Sequence, residues 1–247
     1  MKSWPAGTAL LELDQVDSTN DEARRRAGRG EKGPLWIIAR RQTAGRGRRG
    51  NIWVSPSGNL AATLLLRPDR PAADCAQLSF AAALAVSDML SGFAPAAAIT
   101  LKWPNDVLVD GRKIAGILLE SEGGPGGRAA WLAIGIGVNL SDYPPDTEFP
   151  AIALASLGVL PPPPQDALLD LAAALAKWYE TWRTEGFAPI REAWLARAWG
   201  LGRRIRVRLA REELSGLFQG IDETGALQLG LPGGVARTIT AGEVFFG

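Results

Sequence analysis

The segment from Gln42 to Trp53 constrains the fold more than any other part of the chain. Its six positions Gly45–Gly50 read Gly-Arg-Gly-Arg-Arg-Gly. Glycine lets the backbone adopt positive φ and approach a ligand closely. Arginine supplies a planar, permanently charged set of donors that fits phosphate or carboxylate. The segment therefore predicts an anion-binding loop in preference to a solvated surface loop.

The same segment matches the Gly-x-Gly-x-x-Gly fingerprint of dinucleotide-binding folds, but its flanks exclude that fold. The fingerprint needs a strand before it and a helix after it. A strand is predicted at Trp36–Arg40, whereas Pro56, Gly58 and a second apolar strand at Leu60–Leu66 follow the loop. No Gly-Lys-Ser/Thr closes it, which also excludes a Walker A site. The loop is therefore expected between two strands.

Hydrophobic periodicity predicts an α+β chain with a break near residue 200. Strands are predicted at Ala9–Leu13, Leu35–Arg40, Leu60–Leu66, Ile99–Trp103, Val107–Val109, Lys113–Glu120 and Ala130–Leu140, and helices at Asn20–Ala27, Ala72–Leu90, Asp166–Glu185 and Phe187–Trp199. Asp110-Gly111 predicts a tight hairpin turn. Four alternating segments then predict a small antiparallel β-barrel: Arg204–Leu209, Glu213–Asp222, Leu227–Leu229 and Ala236–Thr240. We expect one domain over residues 1–199 and a second over residues 200–247.

Composition excludes several kinds of chemistry. The 247 residues include no histidine, one cysteine, 27 basic and 26 acidic residues. Without histidine, a Ser-His-Asp triad and an ordinary zinc site are excluded. A single cysteine gives no disulfide framework, which suits a cytoplasmic location, and neither a signal peptide nor a membrane span is expected. Catalysis must then rest on Arg, Lys, Asp, Glu, backbone groups and a hard cation such as Mg²⁺.

Four further clusters have site-like composition. Ser18–Asn20 can cap a helix, hold a small polar head group, or do both. Lys102–Asp106 ends a strand and is either a plain turn or a site wall for a metal–phosphate group or a ribose hydroxyl. Lys113 shares a strand face with Ala115 and Ile117 by simple alternation, which favours the solvent-exposed rim. Gly135–Asn139 indicates either tight strand packing or close approach of a ligand.

Taken together and in this order, the clusters resemble those of biotin protein ligases. The matching segments are Asp17-Ser-Thr-Asn, Gln42-Thr-x-Gly-Arg-Gly-Arg-Arg-Gly, Lys102-Trp-Pro-Asn-Asp, Gly111-Arg-Lys-Ile-Ala-Gly-Ile-Leu-Leu-Glu, Gly135-Ile-Gly-Val-Asn, and Gly220-Ile-Asp-x-x-Gly-Ala-Leu followed by Gly242-Glu-Val. They cover nearly the whole chain, and their order is far more specific than any one segment. The resemblance implies a mixed-sheet catalytic domain of the biotin–lipoate ligase (class II synthetase-like) fold, with helices on one side, and an SH3-like C-terminal β-barrel.

The reaction implied by the resemblance has two steps. Biotin's carboxylate attacks the α-phosphate of ATP, giving biotinyl-5′-AMP and pyrophosphate. A lysine of a biotin carboxyl carrier protein then attacks the mixed anhydride, and AMP leaves. Because two anions meet in the first step, cations must offset their repulsion.

The resemblance also assigns residues. Arg48 and Lys113 would be catalytic. The metal ligands stay unassigned: Mg²⁺ would come with ATP, and the neighbourhood of Asp106 is one candidate place for it. Biotin would be bound by Ser18, Thr19, Asn20, Gln42, Arg46, Gly47, Arg48, Lys113, Gly116 and Gly135. The nucleotide would be bound by Arg46, Arg48, Arg49, Trp53, Asn105, Asp106 and Asn139. The loop from Gly45 would act as a lid that keeps water from the adenylate.

Two departures accompany the resemblance. Asn51 stands where many members have a basic residue, which bears on how tightly the lid closes. Ser18 comes too early to leave room for the N-terminal DNA-binding winged helix of some members, so no specific DNA partner is expected. The sequence leaves the oligomeric state open, with a homodimer among the options.

Two other functions compete with this interpretation. One is a lipoate-type ligase, with the same chemistry on a different acid. The other is a nucleic-acid-binding protein, because ten basic residues and one acidic residue lie between Arg24 and Arg49, and Arg203–Arg208 is also basic. The balanced total charge and the few tyrosines and phenylalanines argue against nucleic acid.

Overall fold

The computed structural model describes residues 3–245, which form two β-sheets and five α-helices. The strands are β1 (Ala9–Val16), β2 (Leu35–Gln42), β3 (Leu60–Leu66), β4 (Ile99–Lys102), β5 (Asp106–Val109), β6 (Arg112–Gly123), β7 (Ala129–Val138), β8 (Arg204–Arg208), β9 (Glu213–Ile221), β10 (Leu227–Gly230), β11 (Ala236–Ile239) and β12 (Glu243–Phe245). The helices are α1 (Thr19–Gly28), α2 (Ala72–Cys75), α3 (Leu78–Phe93), α4 (Pro164–Glu185) and α5 (Ala188–Leu195).

The larger sheet has seven strands in the order β1-β2-β3-β7-β6-β5-β4. It is mixed, as the resemblance implies, because β1 and β2 are parallel and the other neighbours are antiparallel. Asp110 and Gly111 have φ values of 49° and 72° and join β5 to β6. Both positive values match the hairpin turn that Asp-Gly favours, so this prediction is confirmed.

Side chains on successive residues of β2 enter different cores. Trp36 and Ile38 pack with α3 and α4, whereas Leu35 and Ile37 pack with Ala23 of α1. Alternation along the strand therefore places helices on both faces of the sheet. The expectation of helices on one side holds for the long helices α3 and α4 but is wrong for α1. The candidate site lies on the α1 face.

Two predicted helices are shorter than expected. The Ala72–Leu90 segment divides into α2 and α3, because Ser79 N–H bonds to the Ala76 carbonyl and Phe80 N–H to the Gln77 carbonyl in tighter turns. The helix predicted at Phe187–Trp199 is α5, which ends at Leu195. Residues 197–199 instead bond along β4, with the Leu101 N–H donating to the Arg197 carbonyl at 2.8 Å.

The C-terminal sheet has five antiparallel strands in the order β11-β10-β9-β8-β12. The small β-domain was predicted correctly, but the strand ladder is open between β11 and β12 within the described residues, so closure into a barrel was wrong. Strand β12 was not predicted, because three residues are too few to show alternation. It is held by pairing with β8.

One segment, the 22 residues Ala72–Phe93, has the length and apolar composition of a membrane span among the described residues. Most of α3 is buried in the main core, including Leu84, Val86 and Leu90. Burial against the sheet and α4 accounts for its apolar composition.

Candidate active site

A cavity of about 360 Å³ opens on the α1 face of the larger sheet. It is lined by all the residues that the resemblance assigned: Ser18, Thr19, Asn20, Gln42, Arg46, Gly47, Arg48, Arg49, Trp53, Asn105, Asp106, Lys113, Gly116, Gly135 and Asn139. They come from α1, the loop after β2, the β4–β5 turn, β6 and β7. The fold thus brings segments more than 100 residues apart into one site.

The inner end of the cavity is a polar network. Gln42 Oε1 accepts from the Thr19 N–H at 2.8 Å and from Thr19 Oγ1 at 3.1 Å. Thr63 Oγ1 lies 2.8 Å from Thr19 Oγ1 and 2.7 Å from Asn20 Oδ1, and Asn20 Nδ2 donates to Glu120 Oε2 at 2.8 Å. These buried groups hold one another in fixed orientations, as a small polar ligand requires.

The start of α1 is capped from outside the helix. Ser18 occupies the N-cap position, but its side chain makes no capping hydrogen bond. The first helical N–H, that of Thr19, is instead satisfied by Gln42. The Ser18 hydroxyl is therefore not used as a helix cap.

Glycines form a slot in the floor of the cavity. Gly116 of β6 and Gly137 of β7 lie directly opposite each other, and the Trp53 indole packs on both. A Cβ atom on Gly137 would lie 2.3 Å from the indole, and one on Gly135 would lie 2.3 Å from Asn20 Oδ1. These strand glycines therefore make space for neighbouring side chains and also line the cavity, so tight packing is present and the approach of a ligand stays a prediction.

The glycine–arginine loop folds as a short hairpin. The Gly47 N–H donates to the Asn51 carbonyl at 2.7 Å, and the Trp53 N–H donates to the Gly45 carbonyl at 2.9 Å. Arg49, with φ of 56°, forms its bend. Asn51 thus closes the hairpin through its backbone, so a basic side chain is not needed for these bonds.

Two of the three arginines of this hairpin have different side-chain partners. Arg46 pairs with Asp21 at 3.0 Å and with Glu120 at 3.2 Å at the cavity mouth. Arg48 Nη1 lies 3.4 Å from Asn105 Oδ1, and burial together with repulsion from Arg49 lowers the pKa of Arg48. The guanidinium remains charged at neutral pH because its ordinary pKa is so high.

A buried ion cluster forms the opposite wall. Asp106 contacts Lys113 Nζ at 2.6 Å through Oδ1 and Lys102 Nζ at 3.1 Å through Oδ2. Burial raises the pKa of Asp106, but attraction by Lys113 and Lys102 outweighs it, so the pKa lies below its usual value. The carboxylate of Asp106 is therefore held ionised at neutral pH.

The position of Lys113 corrects the strand-alternation argument. The β5–β6 register shifts between Val107 and Leu108, so that Ala115 and Lys113 pair with consecutive residues. This bulge moves Lys113 to the face of Gly116, whose Cβ position lies 3.3 Å from Lys113 Cε. Lys113 therefore lines the cavity, not the exposed rim.

Asp106 is already paired with two lysines at the place suggested for magnesium. Each of its carboxylate oxygens already contacts a lysine ammonium group. No cluster of three Cys, Asp or Glu residues that could hold a metal ion occurs between residues 3 and 245.

Several residues of the site were not assigned from the sequence. Lys102 stands in the matched Lys102-Trp-Pro-Asn-Asp segment, but the sequence assigns it no role. It is only 2% exposed, which is unusual for a lysine. Thr63 is the only polar residue of β3, and a single polar residue in a buried strand is a sequence signal that could have marked it as part of the site. Glu148 and Phe149 also line the cavity, and no local pattern marks them. Glu243, a further lining residue, stands in the matched Gly242-Glu-Val segment but has no role assigned from the sequence.

Comparison with known proteins agrees with this architecture. Residues 13–139 match the Biotin/lipoate A/B protein ligase family, and residues 200–247 match the Biotin protein ligase C terminal domain. A biotin–[acetyl-CoA-carboxylase] ligase from Paracoccus denitrificans is 50% identical over 244 residues, covering 95% of this chain and 99% of the relative. The chain belongs to the biotin protein ligase family.

Other members of the family are more distant. The bifunctional ligase/repressor BirA of Escherichia coli is 33% identical, over 96% of this chain and 74% of the relative. The structure of the biotin protein ligase from Aquifex aeolicus in complex with biotin and ATP matches with a TM-score of 0.81 at 26% identity, over 96% of this chain and 97% of that one. Among the three functions considered from the sequence, these similarities favour the biotin ligase.

Proposed function

We propose that this ligase activates biotin with ATP and transfers it to a lysine of the biotin carboxyl carrier protein of a carboxylase. One observation carries the proposal: a single cavity joins a buried polar network to a cationic wall and an arginine-bearing hairpin. The first suits biotin's polar head, and the others suit a carboxylate meeting a triphosphate. In this proposal residues 1–199 hold most of the site, and residues 200–247 form the second domain, which adds Gly242 and Glu243 to the cavity lining.

The inner network orients biotin. Thr19, Asn20 and Gln42 present fixed donors and acceptors, and Ser18 adds a hydroxyl free of helix capping. The Trp53 indole, which packs on Gly116 and Gly137, would give the rest of the molecule an apolar surface, and Gly135 leaves room for Asn20. Biotin's carboxylate would then point towards Lys113 and Arg48.

In the adenylation step, the carboxylate oxygen attacks the α-phosphorus and pyrophosphate leaves. Lys113 and Arg48 lie on different elements of the cavity and would offset the charge that accumulates as the two anions meet. Asn105, Asn139 and Arg49 line the remaining space, which the nucleotide would occupy. Magnesium would enter as part of the Mg·ATP substrate.

In the transfer step, the neutral ε-amine of the carrier lysine attacks the acyl carbon of biotinyl-5′-AMP. The bond to the phosphate oxygen breaks, AMP leaves, and the amine loses a proton as the amide forms. The Gly45–Trp53 hairpin would exclude water until the carrier arrives.

Pyrophosphate release tests the proposal directly. With biotin and Mg·ATP but no carrier, the protein should release pyrophosphate; with lipoate it should not. Adding a carrier domain should increase the carrier's mass by one biotinyl group on one lysine. Release with lipoate and not with biotin would refute the assignment and favour the lipoate alternative.

We also propose that the basic segment Arg24–Arg49 has no specific DNA partner. Arg24, Arg25 and Arg26 are already paired with Asp21, Asp17 and Glu22, so much of its charge is neutralised. Any binding to DNA should then weaken steeply with salt. A gel shift that is sequence-specific and resists salt would contradict this proposal.

A further inference from the structure

Arg208 of β8 connects the C-terminal sheet to a wall of the cavity. Its guanidinium donates to both carboxylate oxygens of Glu148, Nη1 at 2.6 Å and Nη2 at 2.8 Å, and Nη2 also donates to Glu243 at 2.7 Å. Glu148 belongs to the segment between β7 and α4, whereas Glu243 belongs to β12. One side chain thus holds two cavity-lining carboxylates that are far apart in sequence.

The segment held by Arg208 covers the ion cluster. Phe149, next to Glu148, places its ring 4.0 Å from Lys102 Nζ and packs edge-on against Trp199 at 5.8 Å. Lys102 contacts Asp106, which contacts Lys113. A continuous series of contacts therefore leads from Arg208 to the lysine that faces the cavity.

Arg208 is a poor candidate for a purely stabilising role. Its side chain is 40% exposed and that of Glu148 is 60% exposed. Solvent screens charges at such exposure, which limits what the contacts of Arg208 contribute to folding stability. A two-pronged arginine–carboxylate contact does, however, fix relative orientation. The geometry therefore favours a role in placing the Glu148–Phe149 segment.

We propose that Arg208 is a positioning residue for nucleotide binding, acting through Glu148 to keep Phe149 over Lys102. This inference rests on the proposed function, because it assigns to the nucleotide the part of the cavity that Lys102, Asp106 and Phe149 line. Loss of Arg208 should let the segment move away and expose the Lys102–Asp106 pair to water. Nucleotide affinity should fall, while the biotin network around Gln42, on other elements, should be unaffected.

The test compares ligand affinities by calorimetry on the full-length protein. Arg208→Ala should bind the magnesium complex of the α,β-methylene analogue of ATP, whose α–β bridge resists attack at the α-phosphorus, about tenfold more weakly, a typical size for an indirect coupling. Its Kd for biotin should stay within about twofold. The matched control is Arg237→Ala, which removes another two-pronged contact on the same sheet, to Glu212. That control should change neither Kd.

A double-mutant cycle separates positioning from general loosening. If Arg208 acts through Glu148, Glu148→Ala should reproduce the effect, and the double variant should be no worse than either single variant. Arg208→Lys should recover only part of the affinity, because one ammonium cannot replace the fork. Equal weakening of both ligands, fully additive effects, or an unchanged nucleotide Kd would each overturn the inference. Because the analogue is not cleaved, this result is independent of pyrophosphate release, which tests the proposed function.

Discussion

The Gly45–Trp53 hairpin and the wall around Asp106 supply positive charge to one cavity in opposite ways. The hairpin is held mostly by its own backbone bonds; Arg46 has a side chain 42% exposed, and Ile52 is 82% exposed. In the wall, the side chains of Lys102 and Asp106 are 2% and 9% exposed. The contrast teaches that the charges of the hairpin move when the hairpin moves. The buried charges of the wall keep their positions, but their stability depends on the oppositely charged groups beside them.

The largest effect should come from removing the carboxylate of the wall. Asp106→Asn leaves Lys102 and Lys113 without their shared counter-charge, and breaking such a buried pair should lower the free energy of unfolding by about 3–5 kcal/mol. Urea denaturation of wild type and Asp106→Asn measures this difference in the free energy of unfolding. The exposed Asp14, 3.7 Å from Arg40, provides the control: Asp14→Asn should change stability by less than about 0.5 kcal/mol.

The same comparison has a predicted pH dependence. The pKa of Asp106 is lower in the folded than in the unfolded protein, so its contribution to stability is present above the unfolded-state pKa and is lost as pH falls through the folded-state pKa. The stability difference between wild type and Asp106→Asn should therefore shrink on acidification. A difference that grows instead would show that the carboxylate is not held ionised.

Lys113→Ala should have the next largest effect, on rate. Removing one charge aimed at the reacting groups should slow single-turnover adenylation by about 10²–10³-fold, with a smaller effect on biotin binding. The intermediate should not leak, because Lys113 is not part of the hairpin. Arg112→Ala, which alters the neighbouring residue outside the cavity lining, should leave the rate unchanged.

Filling the glycine slot should disturb the hairpin without removing a charge. Gly137→Ala places a methyl group 2.3 Å from the Trp53 indole, an overlap that should cost about 1–3 kcal/mol and displace Trp53. Limited trypsin digestion should then cut at Arg46, Arg48 or Arg49 faster. Gly47→Ala is the control, since its methyl group would meet only ordinary contacts near 3.5 Å. Equal protection of Gly137→Ala and wild type would refute this anchoring role.

Arg48→Ala should have the smallest effect on adenylation and the clearest effect on retention. We expect adenylation to slow about tenfold, matching one lost charge-assisted hydrogen bond, while stability changes by less than about 0.5 kcal/mol. The adenylate should escape and biotinylate exposed lysines of a bystander protein. More escape from Lys113→Ala than from Arg48→Ala would reverse the comparison between wall and hairpin.

Local patterns predicted the secondary structure well where the local signal was strong. Leu60–Leu66 was predicted to the residue, and Asp110-Gly111 forms the expected turn. The predicted secondary structure was wrong where contacts with residues distant in the chain decide the local conformation. Residues 197–199 are not helical because they form backbone hydrogen bonds with β4. Strand β12 forms because it pairs with β8.

The sequence by itself pointed to many of the residues that line the cavity, because ordered segments that resemble a known family carried them, but not to Glu148 or Phe149. It could not determine how those residues are paired. Simple alternation put Lys113 at the rim, whereas a register shift between β5 and β6 turns it towards Gly116 and Asp106. The partners of Arg208 lie in two separate segments. Strand register and side-chain pairing depend on contacts between distant segments, and only the tertiary structure sets those.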